Sequence, residues 1–270
     1  MARVFITGSS DGLGQEAARR LVGLGHDVVL HGRNRDRAQA ALRGVPGART
    51  ALEGDLASLE QTRELAAQAN AAGPFEAIIH NAGVYRPGAP RRETADGLEE
   101  VFAVNALAPY LLTALIGSPR RLIYLTSGMH QGGDADLGDL QWLERRYDGS
   151  QAYANSKLFD LVLAFAVARL WPHVLSNAVD PGIAPTKMAG ASAPGDLELG
   201  AATQVWLAIS DEPGARVTGR CFYQKRSRPV LATASDVTVQ DAFLAACERL
   251  TGVRLPSAVT TAPSPRGERP

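Results

Sequence analysis

The chain has 270 residues and carries 28 Lys plus Arg against 28 Asp plus Glu, a formal charge of zero. That balance removes the electrostatic case for nucleic acid or an anionic membrane surface as a partner. Its two cysteines, Cys221 and Cys247, lack CxxC spacing and neighbouring histidines, so free thiols in a reducing compartment are expected, with no metal site and no disulfide framework.

Met1-Ala2-Arg3-Val4-Phe5-Ile6 leads directly into a strand-like run without the layout of a signal peptide, and no apolar stretch is long enough to cross a bilayer. A cytoplasmic protein with no membrane span is expected. Val4 to Thr7 is a short β-forming run stopped by Gly8-Ser9-Ser10-Asp11-Gly12-Leu13-Gly14. Behind it Ala17, Ala18, Leu21 and Leu24 recur at helical spacing from Glu16 until Gly25. Strand, glycine-rich turn and helix together let a backbone approach a pyrophosphate that rests on the free N–H groups of the helix N-terminus. The spacing is GxxxGxG, not the commoner GxGxxG of dinucleotide sites.

A second strand, Asp27 to His31, ends in Gly32-Arg33-Asn34-Arg35. A site that prefers NAD places an acidic residue at such a strand end to hold the adenosine ribose hydroxyls. Gly32 and Arg33 suit a 2′-phosphate instead, because a guanidinium attracts it and no carboxylate repels it. Arg35 and Arg37 are expected in solvent, and His31 is expected to be a strand-end histidine without a catalytic part. Strand three runs from Arg49 to Leu52, followed by Glu53-Gly54-Asp55-Leu56. Asp55 is placed to bond the adenine amino group, to cap the helix that begins near Ser58, or to do both. That helix ends at Gly73-Pro74. Phe75 to His80 is strand four, closing on Asn81-Ala82-Gly83, where small residues let a cofactor ribose lie close to the backbone.

Arg86 to Arg92 is a polar loop, and Asp96 to Leu115 turns helical again. Asn105 interrupts that helix with an amide that competes for backbone hydrogen bonds, and Pro109 follows, so a bend is expected at Asn105. Arg121 to Thr126 is strand five, and Ser127 sits at its carboxyl end, where open α/β sheets place their ligand crevice. Gln131 to Ser150 is rich in Asp and Gly, with Trp142 and Leu143 predicted to anchor a short helix. Tyr153 and Lys157 then lie one helical turn apart, and an ammonium there favours the phenolate. The plain alternative is a half-buried tyrosine beside a solvated lysine. Their helix, apolar nearly all round to Leu170, must be buried against the insert or against a second subunit as a homo-oligomer. His173 to Val179 is strand six, leading to Asp180-Pro181-Gly182-Ile183-Ala184-Pro185-Thr186. Ala189 to Gly195 has the composition of a mobile lid, Leu197 to Ile209 and Val239 to Leu250 are helices, and Arg220 to Tyr223 is a last strand. Strand and helix alternate throughout, which predicts one doubly wound parallel sheet of about seven strands over residues 1–255, with a disordered tail over 256–270.

In this order the pieces resemble the short-chain dehydrogenase/reductase family, over roughly residues 2 to 225. Thr7 to Gly14 is similar to the family's TGxxxGxG cofactor loop, and His80-Asn81-Ala82-Gly83 to its NNAG with His in place of the first Asn. Asn105, Ser127, Tyr153 and Lys157 fall where its catalytic tetrad would be, and Pro181-Gly182 and Thr186 where its PG motif and nicotinamide-holding hydroxyl would be. The resemblance implies a Rossmann fold and a cofactor site formed by Gly8, Ser10, Asp11, Gly12, Leu13, Gly14, Arg33, Asp55, Leu56, Asn81, Ala82, Gly83, Tyr153, Lys157, Pro181, Gly182 and Thr186. Ser127 and Tyr153 are 26 residues apart, a wider separation than in most members. The extra segment resembles that of the retinol-dehydrogenase and protochlorophyllide-reductase branch, which implies NADP(H) in preference to NAD(H).

The reaction implied is hydride transfer between nicotinamide and a carbonyl or alcohol substrate, with Ser127 on the carbonyl oxygen and Tyr153 as acid or base. Lys157 would hold the nicotinamide ribose, and Asn105 a water that links Lys157 to solvent. Trp142, Met188 and Trp206 are candidate walls of an apolar pocket, His130 a mouth residue or a turn histidine, and Tyr124 and Tyr147 packing residues. A nucleotide-sensing scaffold on the same fold, or an isomerase or lyase, is the rival reading.

Overall fold

The computed structural model describes residues 1–190 and 192–257. Seven strands run parallel, β1 (Arg3–Ile6), β2 (Asp27–Gly32), β3 (Thr50–Glu53), β4 (Ala77–His80), β5 (Arg121–Leu125), β6 (Leu175–Val179) and β7 (Cys221–Tyr223), in the spatial order 3-2-1-4-5-6-7. An eighth, β8 (Arg226–Ser227), pairs antiparallel with β7 and closes that edge, an element not predicted from so short a polar run.

Strand side chains alternate between faces, and the two halves of the core follow that alternation. Val4 and Ile6 of β1 join a cluster with Ala17, Ala18 and Leu21 of α1 (Gly12–Gly23), Ala41 of α2 (Arg35–Gly44) and Val205 of α7 (Leu197–Ile209). Phe5 turns the other way, among Leu65 of α3 (Leu59–Ala72), Leu112 of α5 (Ala108–Leu115), Leu161 of α6 (Gly149–Leu170) and Phe243 of α9 (Val237–Thr251). Helices thus cover both faces, as an all-parallel sheet requires. Strand order reverses between β1 and β4, so the crevice of the fold opens at their carboxyl ends, beside those of β5 and β6.

Most boundaries lie close to the predicted ones; the exceptions have physical reasons. The helix expected over 96–115 begins at α4 (Glu100–Phe102), because buried Glu99 caps it through Val101 N (2.9 Å) and Phe102 N (2.7 Å). It then widens into a π-helical turn over Ala103–Leu107, centred on Asn105, before α5 resumes. No helix forms around Trp142, which sits at φ 55° in a chain of turns held by the carboxylate of Asp139 on the N–H groups of Leu143, Glu144 and Arg145. A short helix, α8 (Ala232–Ser235), precedes α9.

The apolar surface of α6 is covered within the chain. At its N-terminal end Ala152 and Tyr153 pack with Trp142 of the insert. Further along, Phe159 stacks nearly parallel on Phe243 of α9, with centroids 4.8 Å apart and planes at 5°. The segment after α9 is tied down by Tyr110 Oη to Val253 O (2.7 Å) and Trp171 Nε1 to Pro256 O (2.8 Å). Pro256 therefore belongs to the packed body, whereas 258–270 of the expected tail lie outside the described residues.

Candidate active site

The glycine loop is fitted to its surroundings atom by atom. A Cβ on Gly8, at φ +62°, would lie 2.8 Å from Ala82 Cα, and one on Gly14 would lie 2.4 Å from Asn81 Nδ2. Asn81 holds the loop with Nδ2 donating to Thr7 O (2.9 Å) and Gly8 O (3.0 Å), while Thr7 Oγ1 accepts from the N–H groups of Asn81 (3.0 Å) and Ala82 (3.1 Å). No side chain caps α1 and its first turn holds no acidic residue, so the amides at Gly12, Leu13 and Gly14 remain available to an anion. Ser10 accepts on its carbonyl from Gln15 Nε2 (3.1 Å). This cradle fits the pyrophosphate of a dinucleotide.

His31 has a larger part than its position at a strand end suggests. Its Nε2 lies 2.8 Å from Gly54 O and its Nδ1 accepts from Gly8 N at 2.9 Å. A carbonyl only accepts and an amide only donates, so the ring must be the neutral Nε2–H tautomer. Burial lowers its pKa to about 4, against the weaker opposing pull of the Gly54 carbonyl and Asp55. His31 is thus the peg from which the first glycine hangs.

At the adenosine end, a Cβ on Gly32 would lie 2.3 Å from Ala38 N, so no side chain, acidic or otherwise, fits there. Arg33 is exposed and forms no ion pair among the described residues. Arg37 departs from its expected solvated position: it pairs with the Asp11 carboxylate, which Lys187 also meets at 3.1 Å. Burial works to raise the Asp11 pKa, but the two cations hold it below the usual carboxylate range. Asp55 takes Ala57 N on Oδ1 (3.0 Å), while Ser58 is the helix cap, so of the two expected uses of Asp55 only the adenine contact stays open. Leu56 is buried beside it.

Tyr153 and Lys157 are both buried on α6, and Lys157 Nζ lies 5.7 Å from the centroid of the Tyr153 ring. Lys157 is not solvated: Nζ donates to Leu125 O and to Asp160 Oδ2, each at 2.7 Å. Burial dominates the phenol of Tyr153 and raises its pKa; Lys157 and the hydroxyl of Ser127 pull it down, while Asp160 and Asp180 push it up. Ser127 Oγ accepts from Met129 N (3.2 Å) at the start of a 3-10 turn over Gly128–Gly132, and His130 Nδ1 bonds Ser127 O, which makes His130 a turn histidine.

Asn105 commits both amide protons, to Val84 O and Ser156 Oγ at 3.0 Å each, and its Oδ1 accepts from Val84 N at 2.7 Å. Asn105 therefore has only the second lone pair of Oδ1 left to offer a further group. A Cβ on Gly83 would stand 3.3 Å from Asn105 Oδ1 and 3.7 Å from Lys157 Nζ, so this glycine keeps the passage between them open. Pro181-Gly182 follows Asp180, which pairs with Arg228, and Thr186 Cγ2 reaches to 3.3 Å of where a Cβ on Gly12 would be. The sequence-predicted residues at the carboxyl ends of β1, β4, β5 and β6 thus converge on one crevice.

Of the expected apolar walls, Met188 is close, with Sδ 4.0 Å from Tyr153 Oη, and Trp142 packs with Tyr153. Trp206 is not a wall: it packs on Phe222 on the opposite face of the sheet and bonds Glu212. Tyr124 and Tyr147 are packing residues as expected, bonded to Thr113 and Glu99. Tyr85, whose ring lies 4.6 Å from that of Tyr153, escaped the sequence reading, as did the Lys187–Asp11 contact and Asp160. Asp160 alone had a signal, as the one acidic residue of α6, set in its long apolar run from Leu158 to Val167. Among the described residues no cluster of His, Cys, Asp or Glu could hold a metal, and no helix is long and apolar enough to cross a membrane.

Comparisons with known proteins bear on the family and the fold. The model of the short chain dehydrogenase family matches residues 2–119. An uncharacterized oxidoreductase of Emericella nidulans is 44% identical over 95% of this chain and 99% of its own length. A short-chain dehydrogenase of Gibberella zeae is 42% identical over 95% and 100%. Human retinol dehydrogenase 13 is 31% identical over 97% of this chain and 88% of its own. Among solved structures, an uncharacterized protein of Mycobacterium paratuberculosis superposes with a TM-score of 0.81 at 29% identity, covering 95% of both chains. A blue fluorescent protein from a metagenomic library, in complex with NADPH, superposes at 0.67 and 26% identity, over 82% of this chain and 95% of that one.

Proposed function

Since the chain belongs to the short-chain dehydrogenase/reductase family of oxidoreductases, we propose that it is an NADP(H)-dependent enzyme acting on an apolar carbonyl or alcohol, with Tyr153 as its acid and base. The observation that carries this reading is the convergence of Ser127, Tyr153 and Lys157 at the end of β5, beside a glycine loop whose helix N-terminus has no cap of its own. Gly8, Gly12, Leu13 and Gly14 would hold the pyrophosphate; Asn81, Ala82 and Gly83 would border the ribose; Asp55 and Leu56 would meet the adenine; Pro181, Gly182 and Thr186 would meet the nicotinamide. Gly32, closed to any side chain, and exposed Arg33 favour the 2′-phosphate.

The bound nicotinamide supplies or accepts the hydride. Ser127 donates its hydroxyl proton in a hydrogen bond to the substrate oxygen, and Tyr153 transfers its own proton to that oxygen as negative charge develops there. In alcohol oxidation Tyr153, as tyrosinate, takes the proton. Lys157 works against the burial that raises the phenol's pKa; of its three N–H groups two are committed to Leu125 and Asp160, which leaves one for a ribose hydroxyl. Substrate preference for an apolar molecule is supported by Tyr85 and Met188 at Tyr153 and by exposed Met129 and Ile183 in the loops after β5 and β6. A relative named for retinol points the same way.

Fluorescence titration with NADPH and with NADH tests the cofactor, and a screen of apolar aldehydes and ketones tests the reaction. Tight binding of NADPH, preferred over NADH, followed by NADPH consumption is expected. Tyr153→Phe should abolish turnover by a factor of about 10³ or more while NADPH still binds; substantial residual turnover would sink the assignment.

A further inference from the structure

Asp160 lies three residues beyond Lys157, on the buried side of α6, 2% exposed. Its Oδ2 receives one Lys157 proton at 2.7 Å, and the mechanism above gives it no part. A carboxylate so deep in a helix core is costly to keep, and an apolar residue of similar size would pack there without that cost. What it does for its partner is specific. Deprived of Asp160, Lys157 would be an ammonium buried with a single carbonyl partner, and desolvation drives such a group neutral. A neutral lysine cannot draw a phenol towards its anion.

We propose that Asp160 is a positioning residue which fixes Lys157 as an ammonium beneath Tyr153 and, through its own negative charge, sets how tightly the Tyr153–Lys157 pair holds its protons. The inference rests on the reductase reading for its meaning. The geometry behind it is the chain Tyr153–Lys157–Asp160 along one buried face of α6, closed by Leu125 O. Other groups bear on it. Tyr124 faces the carboxylate from β5, with its hydroxyl on Thr113 of α5, whose Oγ1 also meets His80 of β4. Asp180, paired with Arg228, faces Tyr153 from beyond β6. Consistent with an ion pair, Lys157 is raised above the ordinary lysine value, with desolvation opposing and Asp160 prevailing. Burial raises Asp160 to about 6 against the pull of Lys157.

The test needs no substrate. Tyrosine Cζ and lysine Nζ resonances, assigned by their loss in Tyr153→Phe and Lys157→Met, are followed against pH in the ligand-free protein and in Asp160→Asn, which keeps the volume and an acceptor. Without the carboxylate, the first proton leaves the Tyr153–Lys157 pair more easily, whichever group gives it up. The expected result is a shift of that first titration to lower pH by about one unit, with Asp160→Glu returning it towards the original value. A purely structural Asp160 would lower the melting temperature and leave the titration where it was; an unmoved titration in folded Asp160→Asn overturns the proposal. Should Asp160→Asn fail to fold, Asp160→Ser, which admits a water to the ammonium, carries the same expectation. A wild-type Lys157 that is neutral at a pH below the ordinary lysine range overturns it without any variant. Because the readout is not turnover, failure here is distinct from failure of the reductase reading, which the NADPH assay with Tyr153→Phe decides.

Discussion

His31 makes the glycine loop sensitive to acid, and the effect can be sized. Its ring must stay neutral to accept from Gly8 N while donating to Gly54 O, and burial holds its pKa at about 4 against the ordinary 6.5. A histidine that folds with a depressed pKa costs nothing above its unfolded value. As pH falls below 6.5 the unfolded chain binds a proton that the folded chain refuses, so stability is lost until the folded group titrates near 4. The loss is about 1.4 kcal/mol per pH unit, or about 3 kcal/mol over the whole window. His80, held at about 3 by burial, adds the same slope, while Asp160, raised to about 6 from 3.8, works in the opposite direction between those two values. The three together leave a net slope near that of one histidine between about pH 6 and 4. Urea unfolding followed by tryptophan fluorescence at steps across that window measures the slope. His31→Gln cannot titrate there, and its stability should fall less steeply by one proton's worth, about 1.4 kcal/mol per pH unit. Every other titrating group cancels in the difference. Equal slopes in the two proteins would refute the assignment of a neutral, load-sharing ring at residue 31.

Two further outcomes are expected. Arg33→Ala should weaken NADPH about 10- to 100-fold, the value of a lost charge-assisted hydrogen bond, while NADH titrated by the same fluorescence assay changes little; an equal loss for both would remove the phosphate role from Arg33. Phe243→Ala, which empties the site of a parallel stack on Phe159, should lower unfolding free energy by about 3–5 kcal/mol in urea, and a loss below about 1 kcal/mol would mean that α9 contributes little to holding α6.

The fold was legible because alternation of strand and helix is a local signal, and Val4, Ile6, Leu21 and Leu161 each carry it in their own segment. The site was legible in those residues that must be of one kind. Gly8 and Gly14 admit no side chain, and the amide of Asn105 disturbs the helix it sits in. What stayed hidden depends on partners far away in the chain. Nothing near Arg37 announces Asp11, and nothing near His31 announces that Gly8 and Gly54 will bracket its ring. Trp142 misled because an aromatic beside a leucine suggests an anchored helix, whereas Asp139 takes the local amides and turns the backbone to positive φ. β8 was missed because two charged and polar residues, Arg226 and Ser227, give no period to detect.

The cover over α6 has a consequence for the order in which a nascent chain can finish. Residues 149–170, which carry Tyr153 and Lys157, emerge from the ribosome long before Val237–Thr251 and the carbonyls of Val253 and Pro256 that fasten the segment after α9. At about 5–20 residues per second, Phe159 waits several seconds for Phe243. During that interval the half-built protein lacks the part of the α6 cover that α9 supplies, including Phe243 on Phe159, and chaperone binding or aggregation competes with completion. Ribosome profiling with a chaperone pull-down should therefore find a binding window that opens after α6 has left the tunnel and shuts only once α9 has left it too.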